Sequence, residues 1–327
     1  MRIGLALPQY DYSVPGESPL SWDTLLDHAR RAETLGFESL WLSDHLFLDI
    51  AKYGGSSDPH GAFEPIATLG ALAREVTQPR LGTLVLCEAL RPAAVLAKAL
   101  ATLDRLTAGR LDVGIGAGWY EPEYGAIGMA MPPPRQRLAR LTEAVHIVKG
   151  MLAGESVSYE GTAHRAAGAR CLPGAVQEPA PPVFVGGKGD RLLRLAAEHA
   201  DGWNTCWTWT PEAYRERLDV LNTACVEVGR DPATLWRSLG LYALCGEDQA
   251  DLERRFEAMR AAFGPGVVTD TLDEWRTGHL VGTVDEVREQ VEGWADLGVE
   301  TLILGVGPLP FSVSSPDDVA LLAETLG

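Results

Sequence analysis

The sequence predicts one α/β domain over residues 1–327, a TIM (β/α)8 barrel with insertion segments, and three observations predict it. Eight short runs rich in branched apolar residues recur along the chain. Stretches of helical period separate them, and that alternation marks parallel strands joined by crossover helices. The length, 327 residues, is long for an ordinary domain but within the range of a single barrel. A doubly wound open sheet shares the alternation, and the count of eight favours the barrel.

The elements follow in order. A strand over 3–7 starts almost at the first residue. A helix over 21–35 comes next, with Ser21 placed to cap its first amides and Gly36 suited to the left-handed position that ends it. A strand over 39–42, a helix over 65–75 and a strand over 80–86 continue the pattern. The helix over 92–106 has Pro92 in its first turn. Strands over 111–115, 182–185 and 202–204 are followed by helices over 135–152, 191–199 and 211–228. A strand over 238–244 precedes a helix over 283–297. That helix opens with the capping box Thr283–Glu286 and stops at Gly298. The last strand covers 301–304. The connections 118–134 and 154–181 are long enough to be lids or insertions.

Composition narrows the function classes. Lys and Arg total 28 against 45 Asp and Glu, a net charge of −17. A chain this acidic repels nucleic acid and anionic lipid. No run reaches the length of a membrane span, and the N-terminus lacks the pattern of a signal peptide. The five cysteines are scattered without metal-ligand spacing, so reduced thiols and a cytoplasmic setting are expected. The seven histidines show neither HxH nor HExxH spacing, and no GxSxG elbow is present. No metal is expected.

Five segments can carry chemistry. Trp41-Leu42-Ser43-Asp44-His45 ends the second strand, on the barrel face where active sites lie. There Asp44 can orient a polar heterocycle edge, and His45 can donate or shuttle a proton; equally, Asp44 can cap a turn and His45 can simply be packed. The run from Leu81 through Leu84 and Val85 to Cys87 can wall a flat ring, or be an ordinary buried strand. Gly114-Ile115-Gly116-Ala117-Gly118-Trp119 has GxGxG rather than GxGxxG spacing, so it reads as close approach of backbone to a ligand, not as a Rossmann loop. Gly186-Gly187-Lys188-Gly189 leads into a helix, where free amides, the helix dipole and a lysine suit a phosphate. It lacks the P-loop spacing. Trp41, Trp119, Trp203, Trp207 and Trp209 cluster at expected strand ends and can wall a planar ligand or pack as core.

In order and spacing, these segments resemble the bacterial luciferase-like family, in its branch of F420-dependent oxidoreductases. The markers run from Gly36–His45 through Arg91-Pro92, Gly109-Arg110-Leu111 and Gly114–Trp119 to Gly186-Gly187, Ala200–Asn204 and Val281-Gly282-Thr283. The resemblance implies coenzyme F420, with FMN as the alternative, lying across the C-terminal ends of the strands. It implies that Asp44 and His45 act at the reacting centre and that Leu84–Val85 is a non-prolyl cis bond behind the ring. It also implies that Asp44, Leu84, Val85, Cys87, Ala117, Gly118, Gly186, Gly187, Lys188 and Gly189 hold the cofactor. Trp41, Trp119 and Trp203 are expected to wall the substrate site. One departure matters: some F420-dependent dehydrogenases carry a glutamate directly after the fourth-strand glycines, where this chain has Trp119. A sugar-phosphate substrate is therefore not expected. The activity implied is hydride transfer between deazaflavin C5 and a small, apolar or planar organic substrate. An FMN-dependent monooxygenase and a non-catalytic flavin-binding or F420-binding protein are the alternatives, and a homodimer is common in such a family.

Overall fold

Eight parallel strands close on themselves in the computed structural model, which describes residues 1–327. They are β1 (Arg2–Ala6), β2 (Ser39–Leu42), β3 (Arg80–Thr83), β4 (Leu111–Gly116), β5 (Val183–Gly186), β6 (Gly202–Trp207), β7 (Trp236–Gly246) and β8 (Thr301–Gly305). Each pairs with the next. Phe184 opposite Gly114 and Gly4 opposite Ile303 complete the ring. The strand expected over 80–86 breaks at Leu84, and Leu86–Cys87 resumes beside β4. The strand expected over 202–204 runs three residues further, to Trp207.

Helices cover the outside: α1 (Trp22–Thr34), α2 (Pro65–Glu75), α3 (Ala93–Leu106), α4 (Glu121–Ala126), α5 (Pro134–Leu152), α6 (Asp190–His199), α7 (Pro211–Glu227), α8 (Gln249–Phe263), α9 (Leu272–Arg276), α10 (Val284–Asp296) and α11 (Pro316–Leu326). Ser21 caps α1, and the Thr283–Glu286 box caps α10, as the sequence predicts. The helices α8 and α11 lie where no element is expected. Only Leu252, Phe256 and Met259 of α8 are buried, so its apolar stripe is narrow.

Glycines decide how the barrel interior fills. Gly4, Gly82, Gly114 and Gly202 face inward and leave room for three aromatic rings. A Cβ on Gly82 would lie 2.3 Å from the Trp41 ring, and one on Gly114 would lie 2.5 Å from the Phe184 ring. Trp41, Phe184 and Trp236 interlock there with centroids 5.1–6.4 Å apart. Below them Asp112 accepts from Arg80 Nη2 at 2.6 Å and from Arg2 Nη1 at 3.0 Å, closing the N-terminal mouth.

The long connection after α5 carries a two-stranded hairpin, Val157–Glu160 with Arg165–Ala169. It lies along α5, and the Glu143 carboxylate pins its turn. That carboxylate accepts the amides of Thr162, Ala163 and His164 at 2.8–2.9 Å and the Thr162 hydroxyl at 2.7 Å. Burial pushes the carboxyl up, but these donors outweigh it and hold its pKa at about 2 against the ordinary 4.5. The folded value lies below the unfolded one. The stabilisation is therefore complete above pH 4.5 and fades as pH falls toward 2. Glu143→Gln is expected to lower the urea midpoint at pH 7 and to show less than half of that deficit at about pH 3. Urea titrations at the two pH values check it.

Candidate active site

A cavity of about 280 Å³ opens at the C-terminal face. Its floor and one wall come from the break after β3. Leu84–Val85 is a non-prolyl cis bond, the place the resemblance implies. The Val85 side chain sits on two inward glycines: a Cβ on Gly116 would come within 2.7 Å of it, and one on Gly186 within 2.9 Å. Only glycine at both positions lets β4 and β5 support the bulge. Leu84, Val85 and Cys87 all line the cavity.

The opposite side is built by the end of β2. Gln9, after β1, accepts the Ser43 amide at 2.7 Å and donates to the Ser43 carbonyl at 2.8 Å, which clips the two strand ends together. This aims Asp44 and His45 in different directions. Asp44 turns toward β3 and is consumed by protein: it accepts the Cys87 amide at 2.8 Å and both Arg91 nitrogens at 2.7 and 3.0 Å. Arg91 also pairs with Glu64, the cap of α2. Asp44 thus braces the Leu84–Cys87 bulge rather than offering free oxygens to a ligand.

His45 turns into the cavity. Its Nδ1 meets Glu123 Oε2 at 2.8 Å, and Glu123 also accepts the amides of Leu46 and Phe47. With Nδ1 held, the imidazole presents Nε2 as the group free to take or give a proton. Glu123 lies on α4, inside a connection read as a loop, and stands 78 residues from its partner.

Aromatic rings make the remaining wall: Tyr10, Tyr53, Trp119, Trp207 and Phe311. Trp119 is there as expected and is 44% exposed, at the rim. Trp41 and Trp203 are not. Trp41 is fully buried in the aromatic layer beneath the cavity. Trp203 points outward from β6, stacks on Tyr214 of α7 at 5.3 Å and donates Nε1–H to the Gly187 carbonyl at 2.7 Å. Alternation along β6 sends Asn204 and Cys206 inward instead. Trp207 then enters the cavity across a second non-prolyl cis bond, Cys206–Trp207. Burial pushes the Cys206 thiol up to about 12 and also raises Cys87, so neither is a thiolate nucleophile at neutral pH.

Beyond Val85 the cavity continues into a groove lined by Gly116, Ala117, Gly118, Arg135, Arg137 and Gly186–Leu192. Ala117 and Gly189 line this groove and not the main cavity. The helix α6 starts at Asp190 with Gly189 as a cap that has no side chain, so its first amides are left for a ligand. Lys188 lies at the junction, and Arg137 fixes the turn by donating to the Gly118 carbonyl. Gly118 has φ +72°, and a Cβ there would meet the Tyr124 hydroxyl at 2.2 Å. The whole is shaped for a planar group over Val85 joined to an anion at α6.

The chain is similar to known proteins over much of its length. A F420-dependent glucose-6-phosphate dehydrogenase from Nakamurella multipartita is 30% identical over 306 residues, 85% of each chain. A protein of the same name from Microbacterium testaceum is 34% identical over 208 residues, which span 63% of this chain but only 59% of that protein. Among solved structures, a monooxygenase from Streptomyces bottropensis superposes with a TM-score of 0.78 at 26% identity, covering 100% of this chain and 98% of its own. The family model described as luciferase-like monooxygenase matches residues 1–277. The chain belongs to the luciferase-like monooxygenase family.

Proposed function

We propose that this protein is an F420-dependent oxidoreductase acting on a small alcohol or ketone with an apolar or planar body, and that residues 1–327 work as one domain. The observation that carries the reading is the seat made by Val85 on Gly116 and Gly186, continuous with the amides at the start of α6. A deazaflavin needs both: a flat apolar support for its ring and donors for its phosphate. The residues fit such a group. Val85 would back the ring, the amides from Lys188 to Arg191 with the Lys188 ammonium would hold the phosphate, and Asp44 would keep the bulge in place through the Cys87 amide. When bound, F420 supplies hydride exchange with the substrate.

The protein's own part is proton handling and exclusion of water. A hydride leaving an alcohol carbon requires that the hydroxyl proton also leave. His45 Nε2 holds that proton, oriented by Glu123 at Nδ1. In the reverse direction the same nitrogen returns it to the carbonyl oxygen. The rings of Tyr10, Trp119, Trp207 and Phe311 keep the reacting zone dry. Burial raises the Tyr10 phenol, so it stays neutral beside them.

Titration with oxidised F420, followed by its fluorescence, tests the reading. Saturable binding with FMN much weaker supports it, and no binding of F420 overturns it. Lys188→Ala is expected to raise the F420 Kd about tenfold, the cost of one charge-assisted contact. The likeness to the Streptomyces monooxygenase favours a second reading, a reduced-FMN monooxygenase. It requires oxygen uptake with reduced FMN, which an F420 enzyme does not give.

A further inference from the structure

The chain has only four lysines among 28 basic residues. Two of them are tied to the scaffold. Lys98 donates to the carbonyls of Leu172 and Pro173 at 2.8 and 3.2 Å, and Lys149 to the His199 carbonyl at 3.0 Å and Asp201 at 2.7 Å. The other two, Lys52 and Lys188, both line the cavity. In a protein of net charge −17 neither has a carboxylate within ion-pair distance. Each is held over an indole instead. Lys52 Nζ lies 4.4 Å from the Trp119 ring centre, and Lys188 Nζ lies 5.7 Å from that of Trp209. The two lysines that are not tied to the scaffold are both exposed at the edge of the site, where two ammonium groups without carboxylate partners stand at separate places.

Lys188 belongs with the cofactor phosphate. Lys52 does not: it lines the main cavity but is absent from the groove at α6. It sits with Trp119 and Tyr53 on the aromatic side, with Nζ 5.6 Å from the Tyr53 ring. The geometry points to a substrate that carries an anionic oxygen group, carboxylate or phosphate, on its apolar or planar body, with Lys52 as the residue that selects it. An ammonium is a compact point charge that suits such a group without demanding a fixed fork geometry. This inference rests on the proposed oxidoreductase reading for which end of the cavity is the substrate's.

The test measures binding, so it does not depend on turnover. Calorimetry is run on the full chain with 10 mM inorganic phosphate filling the groove at Lys188, with and without oxidised F420. The probes are 4-acetylbenzoate, 4-acetylphenyl phosphate and neutral acetophenone. At least one acidic probe is expected to bind about tenfold or more tightly than acetophenone. That preference should fall to about twofold or less in Lys52→Met and largely survive in Lys52→Arg. Which acidic probe gains more separates carboxylate from phosphate. No preference in the native protein, or a preference unchanged in Lys52→Met, overturns the inference. A Lys52-dependent preference without F420 binding leaves this inference standing and removes the cofactor assignment. F420 binding with no such preference does the opposite.

Discussion

His45→Ala is expected to lower kcat roughly 10²–10⁴-fold, the range for loss of a general acid–base group. Removing the imidazole deletes the atom that carries the substrate proton, but not the Val85 seat or the anion site at α6. The F420 Kd should therefore stay within about threefold of the native value, and the loss should fall on kcat rather than on cofactor binding. Added imidazole should restore part of the rate in His45→Ala, because it can occupy the space left in the cavity. Glu123→Gln should cost less, roughly 10–100-fold, since the imidazole remains but loses the carboxylate that orients it. Imidazole should not rescue that variant. A His45→Ala protein that keeps half its kcat would remove His45 from the chemistry and leave it a packed ring between Tyr10 and Trp119.

How much of this was legible depended on the range of the interaction involved. The eight strands were readable because each is buried on both faces and writes itself as an apolar run. Helix ends such as Ser21 and Thr283–Glu286 were readable because a cap is a local hydrogen bond. The glycine turn before α6 was readable for the same reason. Partners across the fold were not. The Glu123 that orients His45 comes from a one-turn helix within a long connection, and nothing local marks it. The Asp44 carboxylate looks free in sequence, but Arg91 and the Cys87 amide, more than 40 residues away, take its oxygens. The tryptophans failed differently. Three stand at positions 203, 207 and 209, which regular strand alternation would put on one face. With Asn204 inward against Ser238 that face is the outside, which removes Trp203 from the cavity, and Trp207 reaches it only because the alternation breaks at Cys206–Trp207, a break that nothing local in the sequence marks.

Trp41 gives the sharpest measurement of that distinction. If it walled the substrate site, removing it would change ligand affinity and spare stability. Its surroundings require the reverse. Trp41 is held between Phe184 and Trp236 with no solvent contact, and its indole N–H donates to Ser39 at 2.9 Å. Gly4 and Gly82 give up their side-chain volume to it. Trp41→Ala is therefore expected to cost about 3–5 kcal/mol. That corresponds to a fall in Tm of roughly 4–7 °C for a chain of this size. The F420 Kd should hold within a few-fold, because the ring lies one layer below Val85. The glycine supplies the control. Gly82→Ala alone should destabilise by about 1–3 kcal/mol, since its methyl would be driven into the indole. In the double variant that methyl enters the space the indole vacated. Thermal melts of the four proteins should then show the double variant losing less than the two single losses combined, the mark of two groups in direct contact. Strict additivity, or a Trp41→Ala protein that melts normally but binds F420 tenfold more weakly, would return Trp41 to the site and undo the layered interior on which the cavity floor rests.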